Sequence, residues 1–461
     1  MTSINMLNSL FRWKDTIIAL ATPPGSGAIG VIRISGPTSF NIINTLFPCK
    51  DILQQPSHTL HIGWLLFNHE PLDEVVVSLF KNPRSYTGED VVEISCHGSA
   101  YIINSIIQAC IQLGARTAKP GEFTQRAFLN GKMDLAQAEA VADLIASDSA
   151  VSHRLAMHQM RGRFSEKIKL LREELIKFAA LIELELDFAE ENVQFANRAA
   201  LAALLTSVLD IINPLIDSFK LGNVLKKGVP VAIIGKPNAG KSTLLNTLLQ
   251  EEKAIVSEVP GTTRDIIEDT INIEGITFRL IDTAGLRHTT DIIEQIGVQK
   301  TIEKMASAHL ILYLFDVSEK ESTTQAEKQL EVYKQEYKEA KILCVANKMD
   351  MLTKTNLINN HIHGISAKQN IGIAELKAAM VAAVQNTNIG DVTVTNTRHY
   401  EALIKAKEAL QNVLTGIAQS TTSDFLALDI RQALHYLAEI IGQVSNEDVL
   451  DYIFSKFCIG K

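Results

Sequence analysis

Residues 235–242 read Gly-Lys-Pro-Asn-Ala-Gly-Lys-Ser, after the apolar run Val231-Ala232-Ile233-Ile234 and before Thr243-Leu244-Leu245-Asn246. A strand that breaks on glycines and resumes as a helix is the setting of a phosphate-binding loop, GxxxxGK[ST]. Glycines let the backbone curl so that successive N–H groups point inward at phosphate oxygens. Lys241 then supplies a point charge to the β/γ-phosphates and Ser242 a hydroxyl to Mg²⁺.

Four further motifs follow. Asp282-Thr283-Ala284-Gly285 comes after the apolar strand Phe278–Ile281. An Asp at a strand end suits a Mg²⁺-linked water, and Gly285 can offer its N–H to a γ-phosphate, so the segment can sense hydrolysis. Asn347-Lys348-Met349-Asp350 follows the strand Ile342–Ala346. The Asp350 carboxylate accepts two hydrogen bonds from a guanine edge, a donor pair adenine lacks. Ser366-Ala367-Lys368 fits the last guanine-side loop. Between the P-loop and Asp282, Gly261-Thr262-Thr263-Arg264-Asp265 places a Thr where it can cap Mg²⁺ and order a switch loop. Leu286 stands where small GTPases carry a water-positioning Gln, so hydrolysis needs another device. Glu294 is a candidate, although on its residues alone it reads first as an ordinary exposed helix Glu.

The chain has 461 residues, enough for about three domains. It is 46% hydrophobic and 21% charged, with a net charge of −8, which argues against broad nonspecific nucleic-acid affinity but leaves room for a local basic patch. Its five cysteines (Cys49, Cys96, Cys110, Cys344, Cys458) form no CxxC pair, as expected in a reducing compartment without structural zinc. No apolar run is expected to span a membrane, and Met1–Lys14 reads as a short leader rather than a signal peptide. A cytoplasmic location follows.

The expected fold class is multidomain, α+β with α/β. Residues 1–128 read as an α+β domain, with strands at 17–21, 29–34, 75–80 and 91–95 and a helix over 99–113. Residues 129–227 read as the first part of a helical domain. Its stripe is Phe164, Ile168, Leu171, Leu175, Phe178 and Ile182. The acidic run Glu183, Glu185, Asp187, Glu190, Glu191 reads as a solvated face and turn. Residues 228–385 read as a Ras-like, doubly wound P-loop domain with its ligand at the carboxyl ends of the strands. Residues 386–461 return to helix, with Leu403, Ala406, Leu410, Val413 and Ile417, then Leu434, Leu437, Ile441 and Val444. The simplest arrangement is one discontinuous helical domain into which the P-loop domain is inserted.

Beyond the P-loop, distinctive segments are DTIIALATPPGSGAIGVIRISGP at 15–37, SYTGEDVVEISCHG at 85–98, KPGEFTQRAFLNGKMDLAQAEAVADLI at 119–145, IVSEVPGTTRD at 255–265, DTAGLR at 282–287 and the terminal FCIGK at 457–461. Over nearly its whole length the chain resembles the MnmE (TrmE) family of tRNA-modification GTPases.

That resemblance implies an N-terminal domain that binds 5-formyl-tetrahydrofolate and makes a homodimer. Arg33, Glu93 and Lys132 would contact the folate, with Lys461 near the pocket. Glu93 suits the pterin ring and cations suit the glutamate tail, whereas Arg33 alone, on an alternating strand, reads as a surface cation. It implies a GTP site formed by Asn238, Ala239, Gly240, Lys241, Ser242 and Thr243, by Ser257, Glu258, Val259, Pro260, Gly261, Thr262 and Thr263, by Asp282, Thr283, Ala284 and Gly285, and by Asn347, Lys348, Asp350, Ser366, Ala367 and Lys368. Ser242 and Thr263 would hold Mg²⁺. Asn238, Ser257, Val259 and Thr262 would hold an activating K⁺ in place of an arginine finger. Glu294 would orient the attacking water, and Lys241 and Thr263 would complete the catalytic set.

The family further implies that two GTPase domains meet on binding GTP and K⁺ and part after hydrolysis, in concert with an FAD-containing partner, MnmG, in a heterotetramer or larger complex. The product would be a carboxymethylaminomethyl-type group at C5 of the wobble uridine of certain tRNAs. Cys458 matches the family's terminal cysteine; it reads either as a covalent catalyst or as a small residue packed near the folate pocket. The contrasting expectation is a ribosome-assembly GTPase switch, a class that shares the P-loop and DTAG but lacks the N-terminal block and FCIGK.

Overall fold

The computed structural model describes residues 15–187, 197–250, 269–281, 305–319, 322–352, 361–385, 393–444 and 447–460. The expectations placed on Met1–Lys14, Glu190, Glu191, Ser257, Glu258, Val259, Pro260, Gly261, Thr262, Thr263, Asp282, Thr283, Ala284, Gly285, Leu286, Glu294 and Lys461 lie outside the described residues. The described chain forms two compact units, one drawn from 1–145, 158–212 and 401–461, the other from 146–157 and 213–400.

The first unit opens with strands β1 (Thr16–Leu20) and β2 (Ile29–Ser35), helix α1 (Ser39–Leu46), strands β3 (Thr59–Phe67), β4 (Glu70–Phe80) and β5 (Val91–His97), helix α2 (Ala100–Gln112) and strand β6 (Ala115–Thr117). The sheet order is β3-β4-β5-β2-β1-β6, antiparallel except for the β1–β6 pair. Alternation sets the faces: Ile32, Ile34, Val75, Val77, Val92 and Ile94 bury against Phe40 and Ile43 of α1 and Ile103 and Ile106 of α2. Strands β3 and β6 were not foreseen. On β3 the apolar residues Leu60, Ile62 and Trp64 lie on the exposed side, which reverses the usual hydrophobic cue.

Helices α3 (Glu122–Leu129), α4 (Leu135–Ala146), α5 (Ala150–Met160), α6 (Arg163–Asp187) and α7 (Arg198–Lys227) follow. On α6, Phe164, Ile168, Leu171, Leu175 and Ile182 are buried at helical spacing, while Phe178 is half-buried. The solvated-face reading of the acidic run is corrected at Glu185. This residue is buried, and its carboxylate receives Arg198 at 2.6 Å and the Ser423 hydroxyl at 3.0 Å. One helix, α7, is long and apolar enough to cross a bilayer by length and composition, a feature not foreseen from the sequence. Leu201, Leu205, Val208, Ile212 and Leu215 form a buried stripe on it, and 33% of its most apolar window is buried, so length and composition alone are weak evidence for a span.

The second unit carries β7 (Val229–Gly235), α8 (Lys241–Gln250), β8 (Asp269–Ile273), β9 (Ile276–Leu280), β10 (Leu310–Asp316), α9 (Ser322–Glu336), β11 (Lys341–Asn347), β12 (Ile362–Gly364) and α10 (Ile373–Gln385). The sheet order is β12-β11-β10-β7-β9-β8, all parallel but for the antiparallel edge strand β8. Residues of β10 alternate between two cores. Leu310, Leu312 and Leu314 face α8 and α10, and Ile311, Tyr313 and Phe315 face α9. Helices therefore cover both faces, as a doubly wound sheet requires.

The chain closes with α11 (Thr397–Ala418), α12 (Ser423–Ile440) and α13 (Glu447–Ser455). The predicted stripe ends early: Gly442 turns the chain at φ 74° and Val444 is exposed. All five cysteines are free. Burial pushes the thiols of Cys96 and Cys344 up to about 11 and that of Cys110 to about 12, which keeps them protonated.

Candidate nucleotide-binding site and N-terminal polar cluster

Strand β7 ends at Gly235, and the loop to α8 turns through left-handed residues, Asn238 at φ 63° and Gly240 at φ 95°. Gly240 is required twice over. A side chain there would be strained, and its Cβ would fall 2.1 Å from Asn347 Nδ2. The loop closes round the Lys241 ammonium, which donates to the carbonyls of Gly235 at 2.7 Å and Lys236 at 2.8 Å. Ala239 is buried, Ser242 half-buried and Thr243 exposed. A Cβ at Gly240 would displace Asn347, and the Lys241 ammonium held by the loop carbonyls supplies the positive charge an anion needs.

The guanine-side motifs brace the cradle. Asn347, at the end of β11 and only 3% exposed, donates from Nδ2 to Ala239 O at 2.8 Å and accepts the Ala367 N–H on Oδ1 at 3.0 Å. One side chain thus ties 235–242 to 366–368. Thr247 adds a second tie, donating to Ala367 O at 2.8 Å. Asp350 Oδ1 accepts the Ser366 hydroxyl at 2.5 Å. Lys348 lies at φ 67° and its ammonium meets Asp316 Oδ2 at 2.5 Å, while Lys368 is exposed. Sequence reasoning missed Thr247 and Asp316; the available signal for Asp316 was an acid closing an apolar strand, the same pattern that singled out Asp282.

In the first unit, register pairs Arg33 of β2 with Glu93 of β5. Arg33 Nε donates to Glu93 Oε1 at 2.8 Å, and Nη1 to Gly460 O at 3.4 Å. The guanidinium lies 5.2 Å from the Tyr86 ring centroid and 5.7 Å from that of Phe123. With its side chain 18% exposed, Arg33 is no free surface cation, which corrects the bland reading of an alternating strand. Burial raises the Tyr86 phenol above its ordinary value, against the Thr124 hydroxyl at 2.8 Å and the Arg33 charge.

Lys132 Nζ instead donates to Pro83 O at 3.0 Å. Cys458 is exposed, and its carbonyl accepts the Gly121 N–H at 3.3 Å. The structure thus joins Arg33, Glu93 and the 457–460 segment, with Tyr86 and Phe123 as walls that the sequence had not singled out.

Behind these walls runs an ion network. Buried Arg126 reaches Asp15 Oδ1 and Glu122 Oε1 at 3.0 Å and Glu89 Oε2 at 3.2 Å, and Arg116 bridges Glu122 and Asp15 at 2.5 Å. Burial opposes ionisation of Glu122 and Asp15, but the two arginines outweigh it and hold both carboxyls below their ordinary values.

The first unit thus presents a mixed-charge, aromatic-walled cluster and the second a braced P-loop in a doubly wound sheet: a P-loop protein with an added N-terminal domain. The model of the GTP-binding protein TrmE N-terminus matches residues 16–132, and that of the MnmE helical domain matches 135–458. A tRNA modification GTPase MnmE of Cytophaga hutchinsonii is 57% identical over 97% of this chain and 98% of its own length. The protein of that name from Christiangramia forsetii is 51% identical over 98% and 100%. The solved G domain of the T. maritima FeoB iron transporter aligns at 24% identity over 34% of this chain and 99% of that one, with a TM-score of 0.25, too loose a match to bear on function. The chain belongs to the MnmE family.

Proposed function

We infer that the chain hydrolyses GTP and that the hydrolysis serves tRNA modification. The observation that carries this reading is similarity along the whole chain, 57% over 97% of it, to relatives named tRNA modification GTPase MnmE. The second unit supports the first half of the reading, since its P-loop turns on a left-handed glycine where a side chain would be strained and would displace Asn347, and Asn347 ties it to the guanine-side loops.

In this reading Lys241 neutralises phosphate charge and Asp350 reads the guanine edge. Ser242 and Thr263 would hold Mg²⁺, and Asn238, Ser257, Val259 and Thr262 would hold K⁺; together these ions offset the charge that develops in phosphoryl transfer. Asn238 is the member of the K⁺ set within the described residues; its backbone is left-handed and the residue is exposed. Glu294 would orient water.

The finer proposal concerns what hydrolysis drives. The Arg33–Glu93 pair, walled by Tyr86 and Phe123, offers what a reduced folate needs: a carboxylate and a guanidinium for a pterin edge and aromatic surface for its ring. Lys132 and Lys461 would serve the glutamate tail, and Cys458 lies in the 457–460 segment, whose Gly460 carbonyl accepts from Arg33. The full reading is a cytoplasmic homodimer that works with the FAD-containing MnmG on the wobble uridine of certain tRNAs, with a formyl-tetrahydrofolate-derived carbon. The test is mass spectrometry of tRNA nucleosides from a strain lacking the protein. Loss of carboxymethylaminomethyl-type uridine is expected; an unaltered nucleoside profile would return the chain to the class of ribosome-assembly switches.

A further inference from the structure

Strands β10 and β11 run parallel in register, so Asp316 sits directly beside Asn347 at their carboxyl ends. Asp316 is fully engaged. Its Oδ1 accepts the Ser318 N–H at 2.9 Å and the Ser318 hydroxyl at 2.6 Å, and its Oδ2 accepts the Lys348 ammonium at 2.5 Å. Its side chain is 11% exposed, and that of Lys348 33%. An ordinary surface ion pair holds two mobile side chains in water and contributes little. Here the carboxylate is fixed by two donors at a strand end, and its partner stands between Asn347 and Asp350, the ends of the guanine-side motif.

Lysine is amphipathic: four methylenes carry a hydrated charge. With the ammonium drawn to Asp316, the stem is held in one direction and offers an apolar surface to a flat ring. The left-handed backbone of Lys348 is a strained choice for a side-chain-bearing residue, and such strain persists only where the surroundings hold it in place. We infer that Asp316 is a positioning residue for guanine-nucleotide recognition, acting through Lys348 by anchoring its ammonium so that the stem forms a platform for the purine. The inference rests on the guanine-nucleotide reading above.

The test is a double-mutant cycle on the full-length chain, read as affinity for fluorescent mant-GDP. Asp316→Asn should weaken binding about three- to tenfold, the range of a hydrogen bond to a charged group discounted for partial exposure. In a Lys348→Met background, which keeps the stem and removes the charge, the same substitution should change affinity less than about twofold, because a pair already broken has no coupling left to lose. An equal loss in both backgrounds, or no loss in the wild-type background, overturns the inference. Should Asp316→Asn melt early, Asp316→Glu keeps the charge and shifts it by one methylene. A smaller loss of affinity at normal melting temperature then supports positioning, and wild-type affinity overturns it. Equal wild-type affinity for mant-GDP and mant-ADP would instead refute the guanine reading itself, before any variant is compared.

Discussion

Arg33 and Glu93 stand opposite each other across the β2–β5 ladder, and their side chains meet at 2.8 Å between the Tyr86 and Phe123 rings. Neither charge is spare, so a ligand that uses one must compensate the other. Arg33→Met keeps the bulk and removes the donors. Binding of 5-formyl-tetrahydrofolate, measured by calorimetry, should fall at least about tenfold, the cost of a lost charged hydrogen bond. Unchanged binding would remove the cluster from the folate proposal.

Asn347 is the brace of the nucleotide cradle. Asn347→Ala leaves Ala239 O and Ala367 N without their partner, at about 1–3 kcal/mol for each buried group. GDP and GTP should both bind at least about tenfold more weakly. Retention of affinity would show that the P-loop keeps its shape without the tie.

Gly240→Ala should be more severe, because it combines left-handed strain with a Cβ 2.1 Å from Asn347 Nδ2. The expected result is loss of detectable nucleotide binding by mant-GDP titration while circular dichroism of the first unit's sheet and helices persists.

Hydrolysis should depend on the monovalent cation. Turnover in K⁺ is expected to exceed that in Na⁺ by on the order of tenfold or more if, as proposed, a K⁺ takes the place of an arginine finger in stabilising the transition state. Glu294→Ala should slow turnover by about 10²–10⁴, the usual contribution of a group that orients or deprotonates the nucleophile. Equal rates in the two salts would remove the ion from the proposal, and an unslowed Glu294→Ala would return that residue to the surface.

Acid should loosen the first unit through the Arg116–Arg126 network. Glu122 and Asp15 titrate below their ordinary values of 4.5 and 3.8, so their folded forms prefer the ionised state. A depressed carboxyl stabilises the fold above its unfolded value, and the contribution is lost as pH falls through its folded one. Thermal melts should therefore be flat near neutrality and drop below about pH 4.5. Glu122→Gln should cost on the order of 1–3 kcal/mol at pH 7 and converge with wild type in acid. Parallel curves would remove Glu122 as the source.

Much of the fold was legible because its signals are local. The P-loop announces itself through glycines that only a curled backbone needs. The helical stripes of α6 and α11 announce themselves through residues three and four apart. The exceptions have separate causes. Strand β3 exposes the apolar residues Leu60, Ile62 and Trp64, so its pattern lacked the usual core-facing cue and no strand was expected there. Glu185 looked solvated within its acidic run, yet its partners Arg198 and Ser423 come from elsewhere in the chain. Val444 continued a periodicity that Gly442 had already ended.

The candidate sites divide along the same line. Lys241, Ser242, Asn347 and Asp350 could be named from the chain alone, because their roles follow from residue type and spacing beside a strand end. Which partners hold them could not. Asn347 reaches Ala239 across 108 residues, Lys348 reaches Asp316 across 32, and Arg33 reaches Glu93 across 60. A one-dimensional pattern records what each residue can offer. Sheet register and packing decide which offers meet, because an ion pair or hydrogen bond depends on a separation of about 3 Å that only the folded chain sets.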